Sequence, residues 1–197
     1  TQATGAFSFT ANNSTVAGGL NASAFGEFTD ARITDQFVVG RYNELKNAIY
    51  GAREPTDRLF VIGGGTADNI RKDVFYVQRN GNAYVAGDLT VVGMINPSDI
   101  RLKEDIKPLE NVLQKIDNIQ PISYYFKDKN LHPASHQIGF SAQEIENAFP
   151  ELVKKNEEGF LGVNYGNMTA VTFQAIKEQQ EIIEAQQNEI KFLVNFA

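Results

Sequence analysis

The chain has 197 residues, room for one large domain or two modest ones, with 42% hydrophobic and 21% charged residues, an ordinary balance for a folded protein. Its formal net charge of -6 argues against general electrostatic attraction to nucleic acid or to an anionic membrane surface. The absence of cysteine excludes disulfides and thiolate metal sites, and no apolar run is long enough to span a bilayer.

Thr1-Gln2-Ala3-Thr4 carries neither a basic n-region nor an apolar h-region, so no signal peptide is expected. The missing initiator Met makes a fragment or a processed product the expectation. Glycine is uneven: of 16, 12 fall before residue 98 and 4 after it. The first 97 residues carry 8 basic and 9 acidic side chains, and the rest carry 10 and 15. This break predicts a boundary near Asn96-Pro97-Ser98, with a β-rich segment over 1–97 and a second domain over 98–197.

In the first segment small residues, glycines and single aromatics recur, as in Gly5-Ala6-Phe7-Ser8, Ala17-Gly18-Gly19-Leu20 and Ala24-Phe25-Gly26-Glu27. Such short elements cannot bury a core alone; they do so by stacking as a solenoid or by intertwining with other copies. Leu59–Ile62 and Val74–Val77 read as strands. Asn80-Gly81 before Ala83–Ala86 signals a hairpin. Gly63-Gly64-Gly65-Thr66 lacks the Gly-Lys-Ser/Thr ending of a phosphate loop and reads as a turn.

The second segment reads as mixed α/β. Pro121–Phe126 is a predicted strand, Lys127–Asn130 a polar turn, and Gln137–Phe140 another strand. Ser141-Ala142-Gln143-Glu144 fits a capping box, opening a helix that stops at Pro150. From about Met168 onward there is no Gly or Pro, which predicts a long helix. Ile176, Ile183 and Ile190 repeat every seventh residue, followed three later by Gln179, Gln186 and Leu193. That spacing fits two arrangements: a coiled coil between copies, or an amphipathic helix on its own domain.

The chemistry-bearing stretch is Ser98-Asp99-Ile100-Arg101-Leu102-Lys103. A serine hydroxyl is a weak nucleophile unless a base takes its proton, and a neutral lysine amine can be that base. Lysine does this when desolvation or a neighbouring cation favours its neutral form. Arg101 and burial under Leu102 are the candidates for those two effects. By spacing alone, a serine and a lysine five apart mean almost nothing and read as a solvated loop entering a helix.

Other features have plainer readings. His132 and His136 stand four apart with Pro133 between them and no third ligand in sight, so no metal and no cofactor is expected. Asn13, Asn21 and Asn167 begin short glycosylation sequons. Tyr42, Tyr50 and Tyr84 suit glycan contact or stalk packing, and Glu144, Glu146 and Glu151 suit a solvated face better than a carboxylate pair.

Residues 98 to about 194 closely resemble the intramolecular chaperone domain of endosialidases. That domain ends many phage tail spikes and fibres, some bacterial surface proteins and the myelin regulatory factors. The likeness lies in Ser98–Ile106, in Ile138–Ile145 with Phe149–Val153, and in Val163–Gly166 with Ala175–Glu178. Phe7 to Val39 resembles the head repeats of trimeric autotransporter adhesins. Leu59–Gly65 and Asn80–Gly93 look like the repeats preceding such chaperone domains. The resemblance implies an all-β trimeric stalk, an α+β domain ending in a trimeric coiled coil, and a place on a virion or a bacterial cell surface. It implies a homotrimer that cuts itself at Pro97–Ser98, with Ser98 as nucleophile, Lys103 as general base, and Asp99 and Arg101 in support. A host receptor or glycan is the expected outside partner, bound through the stalk or through a missing upstream part. A trimerising tip that is never cut is the alternative.

Overall fold

The computed structural model describes residues 1–129, 132–156 and 159–195. The chain divides into two compact units, Thr1–Met94 with Asp128–Pro133, and Ile95–Lys127 with Ala134–Ala197.

The first unit is built of short strands: β1 (Gln2–Ala3), β2 (Phe9–Asn13), β3 (Val16–Ala17), β4 (Ser23–Glu27), β5 (Asp30–Ala31), β6 (Phe37–Arg41), β7 (Arg58–Gly64), β8 (Asp73–Gln78) and β9 (Ala83–Val85). One sheet runs β1-β3-β5 and the other β2-β4-β6-β7-β8-β9. Phe9, Ser23 and Phe37 are direct parallel neighbours, so each coil takes 14 residues. The corners repeat with that period. Left-handed backbone occurs at Phe7, Asn21 and Asp35, at Asn12, Gly26 and Gly40, and at Ser14, Phe28 and Tyr42. Glycine is required at Gly26 and Gly40, because a Cβ there would run into the carbonyls of Gly40 and Gly63 on the next coil.

The coil is narrow, and its buried side chains are accordingly small: Ala17, Ala22, Ala24, Ala31, Val38 and Val61. Thr15, Thr29 and Asn43 form a fully buried polar column with the same period. Each is satisfied by backbone: Thr15 donates to the Ala11 carbonyl, Thr29 to that of Phe25, and Asn43 both donates to and accepts from Asp30. Strands β8 and β9 pair antiparallel around Asn80-Gly81, as the sequence predicts. The glycine run does not form the expected turn. Gly63 and Gly64 lie inside β7, and a Cβ on Gly65 would strike the Tyr42 carbonyl.

The second unit contains α1 (Val112–Ile116), the hairpin β10 (Pro121–Tyr124) and β11 (Gln137–Phe140), α2 (Ala142–Ala148), the hairpin β12 (Val153–Lys155) and β13 (Leu161–Val163), and α3 (Tyr165–Asn195). Strand β10 ends at Tyr124, two residues earlier than predicted. Of the predicted turn after it, Asn130 lies outside the described residues. The core joins Val112, Ile145, Phe149, Leu152, Val171 and Ala175. Helix α3 is packed on its own domain at its start and free of it further on. Its first turns pack in the core through Val171 and Ala175, whereas Ile176, Ile183, Ile190 and Leu193 stay exposed.

Two caps differ from the sequence expectation. Ser141 precedes α2 but makes no cap bond; its hydroxyl bonds to Gln143, and the Glu144 carboxylate accepts from the Gln120 N–H at 3.0 Å. Helix α1 starts from Asn111 in left-handed backbone without a local side-chain cap. Its free N–H groups are taken by Glu178 of α3, at 3.1 Å from Val112 and 2.9 Å from Leu113. The Leu113 N–H and then the Val112 N–H hold the Glu178 carboxyl below the usual glutamate range. The stabilisation is therefore complete above about pH 4.3 and lost as pH falls through the lowered value. Glu178→Ala is expected to lower the melting temperature of the second unit by a few degrees and to flatten its acid sensitivity, measured by thermal denaturation from neutral to acid pH.

Candidate functional site

Ser98 and Lys103 flank one turn of 3-10 helix, Ile100–Leu102. Asp99 is its N-cap, in extended backbone, and its carboxylate accepts from the Arg101 N–H at 2.9 Å. The Leu102 N–H donates to the Asp99 carbonyl and the Lys103 N–H to that of Ile100, both at 3.1 Å. This single turn folds Lys103 back on Ser98. The Lys103 Nζ donates to Ser98 Oγ at 2.9 Å. Five residues of separation thus become a direct contact within one chain, with Pro97 immediately before the hydroxyl.

The two expected helpers of the lysine do something else. Arg101 turns its guanidinium to Asp99, with Nη2 at 2.6 Å from Oδ2 and Nε at 3.0 Å from Oδ1, so its charge is spent on that pair. Leu102 is 73% exposed and buries nothing. The Ser98–Lys103 contact is likewise open to solvent. Asp99, whose role the sequence leaves undefined, is the residue that shapes the turn.

The Arg101 guanidinium first, and its backbone N–H second, hold the Asp99 carboxyl below the usual aspartate range. The charged cap therefore persists as pH falls, until that lowered value is reached. Asp99→Ala removes the side-chain cap of the turn and the partner of the Arg101 guanidinium. It is expected to slow any reaction that uses the Ser98–Lys103 contact by roughly ten- to a hundredfold, since small misplacements of reacting groups have effects of that size. Asp99→Asn keeps an N-cap acceptor, loses the ion pair and should fall between; time-resolved intact mass measures both.

Among the described residues there is no cluster of three His, Asp or Glu able to hold a metal ion. His136 instead lies against the Tyr125 ring at 4.8 Å. Tyr50 uses its hydroxyl to accept from the Ala6 N–H, and Tyr84 stacks on Tyr76 at 5.0 Å. No helix among the described residues is long and apolar enough to cross a membrane.

Residues 98–154 match the family described as chaperone of endosialidase. The chain is 28% identical over 181 residues to the long tail fibre protein Gp37 of Enterobacteria phage K3, covering 88% of this chain and 13% of that protein. It is 32% identical over 161 residues to Gp37 of Salmonella phage S16, covering 76% of this chain and 20% of the relative. The chain thus spans a fifth or less of these relatives. A solved structure, the carboxy-terminal domain of the bacteriophage T5 L-shaped tail fibre with its intramolecular chaperone domain, is similar at 14% identity. That match has a TM-score of 0.36, covering 65% of this chain and 44% of that one. The similarity to phage long tail fibre proteins is consistent with a place in a virion. The stretch that opens with Ser98 and holds the serine–lysine contact is thus the part of the chain that matches the chaperone-of-endosialidase family.

Proposed function

We propose that the second unit gathers three copies of the chain, helps their β-structured parts assemble, and then releases itself by one cut at Pro97–Ser98. The observation that carries this reading is the 2.9 Å contact between Lys103 Nζ and Ser98 Oγ, at the first residues of the family match.

The chemistry balances without a cofactor. Lys103, in its neutral form, takes the proton from Ser98 Oγ as the oxygen attacks the Pro97 carbonyl carbon. The tetrahedral adduct collapses by breaking the Pro97–Ser98 C–N bond, and the Lys103 ammonium returns the proton to the leaving Ser98 nitrogen. This leaves an ester between the Pro97 carbonyl and Ser98 Oγ. Water hydrolyses the ester to a Pro97 carboxylate and a free Ser98 hydroxyl.

The contact is exposed in a single chain, whereas a lysine base needs desolvation. A neighbouring copy covering the turn would supply it, which ties the cut to assembly. Removing the assembly unit afterwards leaves three chains with no easy return path, so the stability of the product is kinetic.

The test is intact mass of the purified chain beside Ser98→Ala and Lys103→Ala. The wild type should divide into two pieces of roughly half its 21.8 kDa, one beginning at Ser98, and both variants should stay whole. The exposure of the contact also favours a second reading, in which the same unit assembles the trimer and is never cut. A wild type that stays whole as a folded trimer selects it.

A further inference from the structure

The outer face of the six-stranded sheet is apolar almost throughout. Phe9, Phe25, Phe37, Phe60 and Phe75 form a continuous row across β2, β4, β6, β7 and β8, with successive ring centroids 5.4, 5.4, 5.7 and 6.0 Å apart. Val39 and Ile62 extend the same face by strand alternation, and the opposite face holds the buried Ala24, Val38 and Val61. A sheet that is apolar on both faces is suited to being covered on both. Phe9 is nevertheless 56% exposed and Phe37 39%.

We infer that this aromatic face is where copies of the chain meet one another, face to face. The inference deepens the proposed trimer by naming its contact surface in the first unit, and it rests on that reading. Two observations commit the occupant to a second copy. The first is charge. The chain carries a net charge of -6, yet the charged side chains at the end of this face, Glu27 and Arg41, pair with each other at 2.6 Å. Identical faces can therefore meet around a symmetry axis without opposing like charges.

The second observation is area. Phe9 and Phe37 leave roughly 200 Å² of ring surface uncovered, and their half-buried neighbours bring the face to a few hundred. A stable interface takes about 800 Å² per partner. The shortfall is matched in size by exposed Phe173, Ile176, Ile183, Ile190 and Leu193 on α3, on the same chain. The aromatic face is thus too small to hold copies together alone and large enough to do so once α3 has gathered them. That is the division of labour an assembly unit needs.

The chain has no cysteine, so a single one introduced at Ser23, which lies between Phe9 and Phe37 in the sheet register, is a clean probe. The full chain carrying Ser23→Cys, with Ser98→Ala to keep it whole, is treated with a short bifunctional maleimide. Covalent dimers are expected, the largest product that one thiol per chain allows, together with an at least tenfold weaker association of Phe9→Ser/Phe37→Ser by sedimentation. If the Ser23→Cys chain sediments as a trimer but stays uncrosslinked, and Phe9→Ser/Phe37→Ser associates as tightly as its parent, the aromatic interface is overturned while the trimer stands. If the parent chain itself sediments as a monomer at every concentration, the trimer and the interface fall together. Circular dichroism of Phe9→Ser/Phe37→Ser separates lost association from lost folding, and the crosslinking result stands independently of that variant.

Discussion

A chain carrying Lys103→Arg is expected to remain whole for as long as one carrying Ser98→Ala. Arginine keeps the positive charge, the length and the hydrogen-bond donors that reach Ser98 Oγ in the wild type. It does not give up its proton at any ordinary pH, so it can hold the hydroxyl but not deprotonate it. The cut should slow by roughly 10²- to 10⁴-fold, the usual worth of a positioned general base. The measurement is the fraction of intact chain by mass over days, with sedimentation confirming that the variant still assembles. Cleavage of Lys103→Arg at the wild-type rate would reduce the lysine to an orienting donor, and the serine would need another base.

The site was legible in the sequence as a set of residues but not as a geometry. Serine and lysine five apart cannot touch in an extended chain, and nothing in the spacing announces one 3-10 turn between them. The signal available was Asp99, a strong cap former directly before three residues that could turn. Arg101 was legible only as a charge, and the cap residue claims that charge. The solenoid was visible as a recurrence of small residues and glycine, whereas its 14-residue period was hidden. The corner positions share a backbone conformation and not a residue type: Asn12 stands where Gly26 and Gly40 stand, and Phe7 where Asn21 and Asp35 stand. Periodicity in φ does not show in composition when asparagine, aspartate and glycine serve alike, and Phe7, Phe28 and Tyr42 do not belong to that set. Helix α1 escaped notice because it spans only Val112–Ile116 and takes its cap from Glu178, a residue remote in sequence. The failed capping box at Ser141 has the converse cause. Glu144 had a better use for its carboxylate in the Gln120 N–H.

The buried pair Arg58–Asp73 supports the other large expected effect. Arg58 Nη1 lies 2.7 Å from Asp73 Oδ2 and 2.9 Å from Glu44 Oε2, and its guanidinium sits 3.9 Å over the Tyr76 ring. Asp73 also accepts from the Glu44 N–H at 2.8 Å. Burial pushes the Asp73 carboxyl up, and the Glu44 N–H and Arg58 only partly oppose it. A folded value above the unfolded one of about 3.9 means that this group favours folding most below that pH, and that its contribution declines as pH rises through the folded value. At neutral pH the charged pair is therefore tolerated and adds little, while Asp73 without Arg58 is a stranded buried charge and Arg58 without Asp73 keeps only the Glu44 carboxylate. Asp73→Ala is expected to destabilise the first unit by about 3–5 kcal/mol, the usual consequence of breaking a buried pair from one side. Replacing both, as Arg58→Met with Asp73→Leu, should cost much less than the two single changes together, because no buried charge is left unpaired, Glu44 keeps Lys46 at 3.4 Å, and methionine still covers Tyr76. Native-state hydrogen exchange of the β7 and β8 amides, at one fixed chain concentration, reads both variants. A double variant as unstable as the sum of the singles would mean that the two residues are not coupled, and that each acts through contacts of its own, Arg58 through Glu44 and the Tyr76 ring and Asp73 through the Glu44 N–H.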